Sequence, residues 1–195
     1  MATTPKGIDR RVQRTQQLLK QAFVEVVREK GFAAMSIQDV TERANVNRGT
    51  FYAHFTDKYA LLETIIREGL QRILADTLPP VSQWERDTLH LLIRTVLEYF
   101  DGKYGPCRPS AGSMVPLFER AAHEVLFELL LEWLRQEGVS RPRVPLTTIA
   151  HILSWSVLGA AVQWCQATME ISLDQMAQDV WLVMMEGVEP DLRKG

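Results

Sequence analysis

The chain has 195 residues, of which 46% are hydrophobic, with 22 Lys and Arg against 24 Asp and Glu. That apolar content excludes a wholly disordered chain and is enough for one large domain or two small ones. Two cysteines, Cys107 and Cys165, exclude a disulfide-rich scaffold and a four-cysteine zinc site.

The first fourteen residues contain no apolar core of the kind a signal peptide needs. Residues 10–30 place Val12, Leu18, Leu19, Ala22, Phe23, Val26 and Val27 at helical spacing, and Gly31 stands where a C-cap belongs. Ser36 and Asp39 fit a capping box that opens a short helix over 37–44. Asn45-Val46-Asn47 reads as a turn, its second Asn capping another short helix over 48–55. Asp57 can cap a longer helix through Leu61, Leu62, Ile65, Ile66 and Ile73.

Pro79-Pro80 breaks the chain. Residues 82–100 resume a helix with Leu89, Leu92, Ile93, Val96, Leu97 and Phe100 on one stripe. Residues 101–112 are rich in Gly and Pro and read as a loop. A short helical stretch around Ser113 and a long helix over 116–137 follow, then a loop over 138–145. The last two helices are expected over 146–168 and 172–186. Residues 144–169 hold no Asp, Glu, Lys or Arg, but Pro145, His151, Gln163 and Gln166 interrupt them. The stretch therefore reads as a buried helix rather than a membrane span, and the cytoplasm is the expected location.

Split in two, the charge is uneven. Residues 1–72 carry 12 basic and 8 acidic side chains, and the remainder carries 10 and 16. A basic third on an acidic remainder suggests that one part faces a polyanion.

Two short helices joined by a three-residue turn have the shape of a helix-turn-helix, locked by Ile37, Val40, Ala44, Val46 and Phe51. The second helix then presents Asn47, Arg48, Thr50, Tyr52 and His54 outward, which are the polar groups that base edges and phosphates require. Gly49 has no side chain to hold that helix away from a groove.

The gap-free run from Ser36 to Phe55, with Asp57-Lys58 and Leu61-Leu62 after it, resembles the TetR/AcrR family of transcriptional regulators. The opening run from Asp9 to Thr15 resembles a branch of that family named for regulation of dihydroxyacetone kinase. The close resemblance covers residues 9–75. Asn45 departs from the glycine frequent there, and Asn tolerates left-handed geometry.

The resemblance implies an all-α protein. It would have a three-helix DNA-binding domain over 9–56, a connecting helix over 57–78, and a helical domain over 79–195 for effector binding and dimerisation. It also implies DNA contacts from Ser36, Gln38, Asn47, Arg48, Gly49, Thr50, Tyr52, His54 and Lys58. Arg48 can grip a guanine or pair with a phosphate. Thr50 can touch a thymine methyl or a phosphate, and Tyr52 can donate to phosphate or pack by Phe55. Lys58, at a helix start, can neutralise a phosphate or remain a solvated lysine.

In the C-terminal half, small residues on the penultimate helix and nearby aromatics suggest a homodimer interface through Trp155, Ser156, Gly159, Ala160, Trp164, Trp181 and Met185. An effector pocket has candidate lining residues in Trp84, Phe100, Tyr104, Phe118, Phe127 and Trp133, each of which also fits an ordinary core. Enzyme readings fail. His123-Glu124 begins like a zinc-protease helix, but Phe127 stands where the second His is needed, and His54, His90, His123 and His151 lack metal-ligand spacing. No cofactor, metal or membrane partner is expected. The expected function is a homodimeric repressor on a pseudo-palindromic operator, released by a small-molecule effector. The alternatives are a ligand-independent activator that recruits a partner protein and, from another class, a small helical enzyme or lipid carrier.

Overall fold

The computed structural model describes residues 10–80, 84–102, 115–137, 143–166 and 171–187. Among them there are eight helices and no strand: α1 (Arg10–Lys30), α2 (Ile37–Arg43), α3 (Arg48–Tyr52), α4 (Lys58–Thr77), α5 (Arg86–Gly102), α6 (Val115–Gln136), α7 (Leu146–Gln166) and α8 (Leu173–Glu186). The chain divides into two compact units, residues 1–65 and 66–195, and the division falls inside α4.

The first unit folds around the apolar stripe of α1. Leu19, Phe23 and Val26 are buried on it, and Phe23 meets Phe32 with ring centroids 6.1 Å apart. Val40 of α2 and Phe51 of α3 are fully buried beside Phe55 and Leu61. Removing a side chain the size of Phe51 from water contributes about 2–3 kcal/mol. Gly31 ends α1 at φ +77°, its N–H bonded to Val27 O, in the left-handed region that glycine enters without strain. Asn45 sits at φ +52° in the turn between α2 and α3, so the departure from glycine is accommodated.

The second unit packs α6 against α7 and α5 against α7 and α8. Leu92, Ile93, Val96 and Phe100 of α5 are fully buried, and Phe118 of α6 meets Phe100 edge-on at 4.7 Å. Ala121, Ala122, Ala150 and Ala161 are buried on α6 and α7, and such short side chains let helix backbones approach closely. Arg67 of α4 forms an ion pair with Glu124 of α6, and Glu128, one turn on, lies 3.7 Å from the same guanidinium. The Tyr99 hydroxyl donates to Ile66 O at 3.3 Å.

Several element boundaries differ from the sequence reading. α2 ends at Arg43 rather than at residue 44, and α5 runs on to Gly102, two residues into the expected loop. α3 stops at Tyr52 rather than running to Phe55. His54 N–H and Phe55 N–H both turn back to Phe51 O, closing a tight turn that ends the helix. α5 begins at Arg86 rather than at residue 82. α6 begins one residue earlier than expected, at Val115. The helical stretch expected around Ser113 lies outside the described residues.

Candidate nucleic-acid interface

Both short helices are fixed by their own side chains at the N-terminus. Ser36 Oγ accepts from Asp39 N–H at 3.2 Å, and Asp39 Oδ2 accepts from Ser36 N–H at 2.9 Å, which completes the capping box. The Lys30 ammonium, together with the Ser36 N–H and hydroxyl, holds the Asp39 carboxyl well below the usual carboxylate range. Asn47 Oδ1 accepts from Thr50 N–H at 2.7 Å and from Thr50 Oγ1 at 3.0 Å, which fixes the start of α3.

The outer face of α3 is polar and open. Asn47, Arg48, Gly49 and Tyr52 are exposed, Tyr52 by 47%. Arg48 Nη2 donates to Tyr52 Oη at 3.2 Å, and the guanidinium lies 5.6 Å from the centre of the Tyr52 ring. That partner is a neutral hydroxyl, so the positive charge stays available to an incoming anion. Tyr52 itself stands edge-on to buried Phe51 at 5.5 Å. Gln38 is exposed on α2 and donates to Glu42 at 2.8 Å.

Lys30, Arg43 and Lys58 of this unit have partners within it. Arg43 forks onto Glu29 at 2.7 and 2.9 Å and reaches Glu25 at 3.2 Å. Those carboxylates, Glu29 first, raise the Arg43 pKa further. Lys58 is half-buried, and its ammonium donates to Phe32 O and Met35 O, each at 3.0 Å, over the Phe32 ring at 4.7 Å. Two of its three N–H groups therefore tie the α1–α2 connection to the start of α4. His54 lies beyond the end of α3, half-buried, with its ring 6.4 Å from Phe55. The resemblance brought Lys58 forward, but nothing in the local sequence signalled its acceptors, because Phe32 and Met35 lie more than twenty residues away.

In the second unit the residues suggested as pocket lining do not form one group. Phe100 and Phe118 meet in the core, and Trp84 is half-buried ahead of α5. Phe127 stacks on His151 at 4.0 Å. Tyr104 lies outside the described residues. Trp133, almost fully buried, is at the wall of an open-sided cleft of about 520 Å³ between the end of α4 and α6. Leu74, Leu78, Val125 and Leu129 supply apolar wall, while Glu128 and Glu132 supply its charge. The signal for this cleft was Glu124, Glu128 and Glu132 at intervals of four, a charged stripe rather than an aromatic one.

The residues suggested for dimerisation divide. Trp155 is 49% exposed, Ser156 and Gly159 are exposed with it on α7, and Met185 is exposed on α8. Ile152 and Val183 are exposed apolar neighbours in sequence that were not singled out. Ala160 and Trp164 are half-buried, with Trp164 Nε1 donating to Ile171 O at 3.1 Å. Trp181 instead faces inward. It is 5% exposed and the Arg86 guanidinium lies 4.1 Å from its ring centre, so it belongs to the subunit's own packing. By length and composition, Leu146–Cys165 of α7 is apolar enough to cross a membrane, and its exposed side includes Ile152 and Trp155.

Residues 19–65 match the family model described as bacterial regulatory proteins, tetR family. Over 70 residues the chain is 43% identical to the uncharacterized HTH-type transcriptional regulator YxbF of Bacillus subtilis (strain 168), covering 35% of this chain and 18% of that one. Over 90 residues it is 31% identical to the HTH-type transcriptional repressor DhaR of Mycobacterium sp. (strain GP1), covering 45% of this chain and 46% of that one. The chain thus spans less than half the length of these curated relatives. The fold extends further. The crystal structure of Thermus thermophilus FadR, a TetR family transcriptional repressor in complex with lauroyl-CoA, matches 92% of this chain and 97% of its own with a TM-score of 0.56 and 23% identity.

Proposed function

We propose that this chain, whose residues 19–65 match the family model of the tetR bacterial regulatory proteins, is a transcriptional repressor that binds a pseudo-palindromic operator as a homodimer and leaves it on binding a small-molecule effector. The observation that carries the reading is the face of α3. It is capped by Asn47, bare at Gly49, and armed with an Arg48 that, among the described residues, pairs with the Tyr52 hydroxyl rather than with a carboxylate. Asn47, Arg48, Gly49, Thr50 and Tyr52 enter the major groove in this reading, with Ser36, Gln38, His54 and Lys58 on the flanking backbone. Lys58 keeps one N–H for a phosphate after its two carbonyls are satisfied.

The homodimer forms through the exposed apolar side of α7 and α8 at Ile152, Trp155, Val183 and Met185. Two such subunits hold their recognition helices about one DNA turn apart, roughly 34–36 Å. An effector that binds better to a subunit with altered spacing weakens operator binding by linkage. That Thermus thermophilus FadR, which shares this fold, is in complex with lauroyl-CoA supports a small-molecule effector. The protein acts by binding rather than by catalysis, and it acts in the cytoplasm, where operators are.

Selection of bound DNA from a random library, followed by gel shifts across a salt series, tests the reading. The expected result is a two-fold symmetric site whose log affinity falls linearly with log salt. Recovery of no preferred sequence would overturn it.

A further inference from the structure

Among the described residues, the charge lining the cleft between α4 and α6 is of one sign. Its walls are apolar at Leu74, Leu78, Val125 and Leu129, and the charged residues that line it are Glu128 and Glu132. Its remaining polar lining, Gln71 and Gln136, is neutral. A volume of about 520 Å³ lies within the roughly 300–1,000 Å³ range of sites for drug-sized ligands.

The two glutamates are not neutralised in the same way. Arg67 pairs with Glu124 and stands off Glu128 at 3.7 Å, while Glu132 accepts from the Gln136 amide at 3.3 Å. The Arg67 guanidinium thus meets Glu124 and Glu128, while the contact given for Glu132 is the neutral Gln136 amide. An anionic amphiphile entering this cleft would meet repulsion, whereas a lipophilic cation would bury its apolar body on the walls and set its charge against the rim.

We propose that this cleft binds an organic cation with an apolar body. The inference rests on the reading of the second unit as the effector-binding part of a repressor, and names the chemical class of that effector. Glu128 belongs both to the rim and to the Arg67 ion-pair cluster. A bound cation therefore draws Glu128 from Arg67 and loosens the tie between α4 and α6.

Tetraphenylphosphonium and tetraphenylborate, nearly identical in shape and opposite in charge, give the test. Isothermal titration of the full chain without DNA is expected to show one tetraphenylphosphonium per subunit, and weaker tetraphenylborate binding. The double variant E128Q/E132Q is expected to lose about tenfold in affinity for the cation and to lose the preference for its sign. Both glutamates are half-buried or exposed, and an unchanged thermal melt checks that the variant is folded. Equal binding of the two ions, no cation binding, or an unaltered preference in the double variant would overturn the proposal. A gel shift on the selected operator separates the two readings. Cation binding that follows these expectations without release of DNA leaves the site standing and overturns its role as effector site.

Discussion

The Arg48 guanidinium lies along the Tyr52 ring one helical turn away, with Nη2 donating to the Tyr52 hydroxyl at 3.2 Å. Tyr52 is itself steadied by buried Phe51. An arginine restrained before contact loses less side-chain freedom on binding DNA. Arg48→Ala is expected to cost about 1–3 kcal/mol on the selected operator and to relax base preference at one position of each half-site. Tyr52→Phe keeps the ring and removes the acceptor, so its loss should be smaller and in the same direction. Gel shifts on the operator and on single-base variants measure both. An Arg48→Ala protein with unchanged base preference would show that Arg48 contacts phosphate alone.

Asn47 and Gly49 are coupled. A Cβ built at Gly49 would stand 3.2 Å from Asn47 Oδ1, an oxygen already held by two groups of Thr50. Asn47→Ala should destabilise the first unit by about 1 kcal/mol through loss of the cap. Gly49→Ala alone should be nearly neutral, because crowding offsets the helix propensity gained. In the Asn47→Ala background the same change should stabilise by about 0.5–1 kcal/mol. A double-mutant cycle from denaturant melts reads the coupling directly.

Lys58 serves both fold and charge in the proposed interface. Lys58→Ala removes the donor shared by Phe32 O and Met35 O and is expected to lower stability by about 1–2 kcal/mol. The same variant should reduce the slope of log affinity against log salt by about one. Thermal melts and a salt series on the operator give the two numbers separately.

His123 has its charged form disfavoured. Burial pushes its imidazole below the ordinary value and His151, with facing nitrogens 3.4 Å apart, adds to the shift. Its folded pKa lies below its unfolded one, so its contribution to stability is complete above the unfolded value of about 6.5 and is lost progressively as pH falls from there through the folded pKa. His123→Phe retains a flat ring between Trp155 and Phe127 without the titration. Its melting temperature should therefore vary less than the native one between pH 7.5 and 5.5, as scanning calorimetry can follow.

Two tryptophans of the last helices should respond in opposite ways. Trp155→Glu places a charge on an exposed apolar side and is expected to give folded monomers that bind a half-site but not the full operator with dimer affinity. Trp181→Ala should instead cost about 3–5 kcal/mol of subunit stability, because its ring is buried under Arg86. Sedimentation and circular dichroism separate the two outcomes. A dimeric Trp155→Glu protein would move the interface elsewhere.

The helix-turn-helix was legible because its determinants are local. The Ser36–Asp39 box, the Asn47 cap and the left-handed Asn45 each involve residues within three or four positions, and each is formed. The end of α3 was less legible, because the turn-back hydrogen bonds of His54 and Phe55 N–H to Phe51 O close it without a Gly or Pro marker. Aromatic residues do not by themselves mark the cleft. A buried ring at helical spacing reads the same whether it lines a cleft, as Trp133 does, or fills the core, as Phe100 does.

The amino-acid order by itself thus determined the helical periodicity, the caps of α2 and α3, the polar face of α3 and the uneven charge of the two halves, since these depend on backbone hydrogen bonding and side chains one turn apart. The tertiary structure decided what each long side chain meets. It turned Lys58 onto two carbonyls, Trp181 inward under Arg86 and Trp155 outward, and it set the carboxylates of α6 beside the apolar end of α4. Those outcomes depend on how helices distant in sequence pack, and packing selects among rotamers and faces that periodicity leaves equivalent.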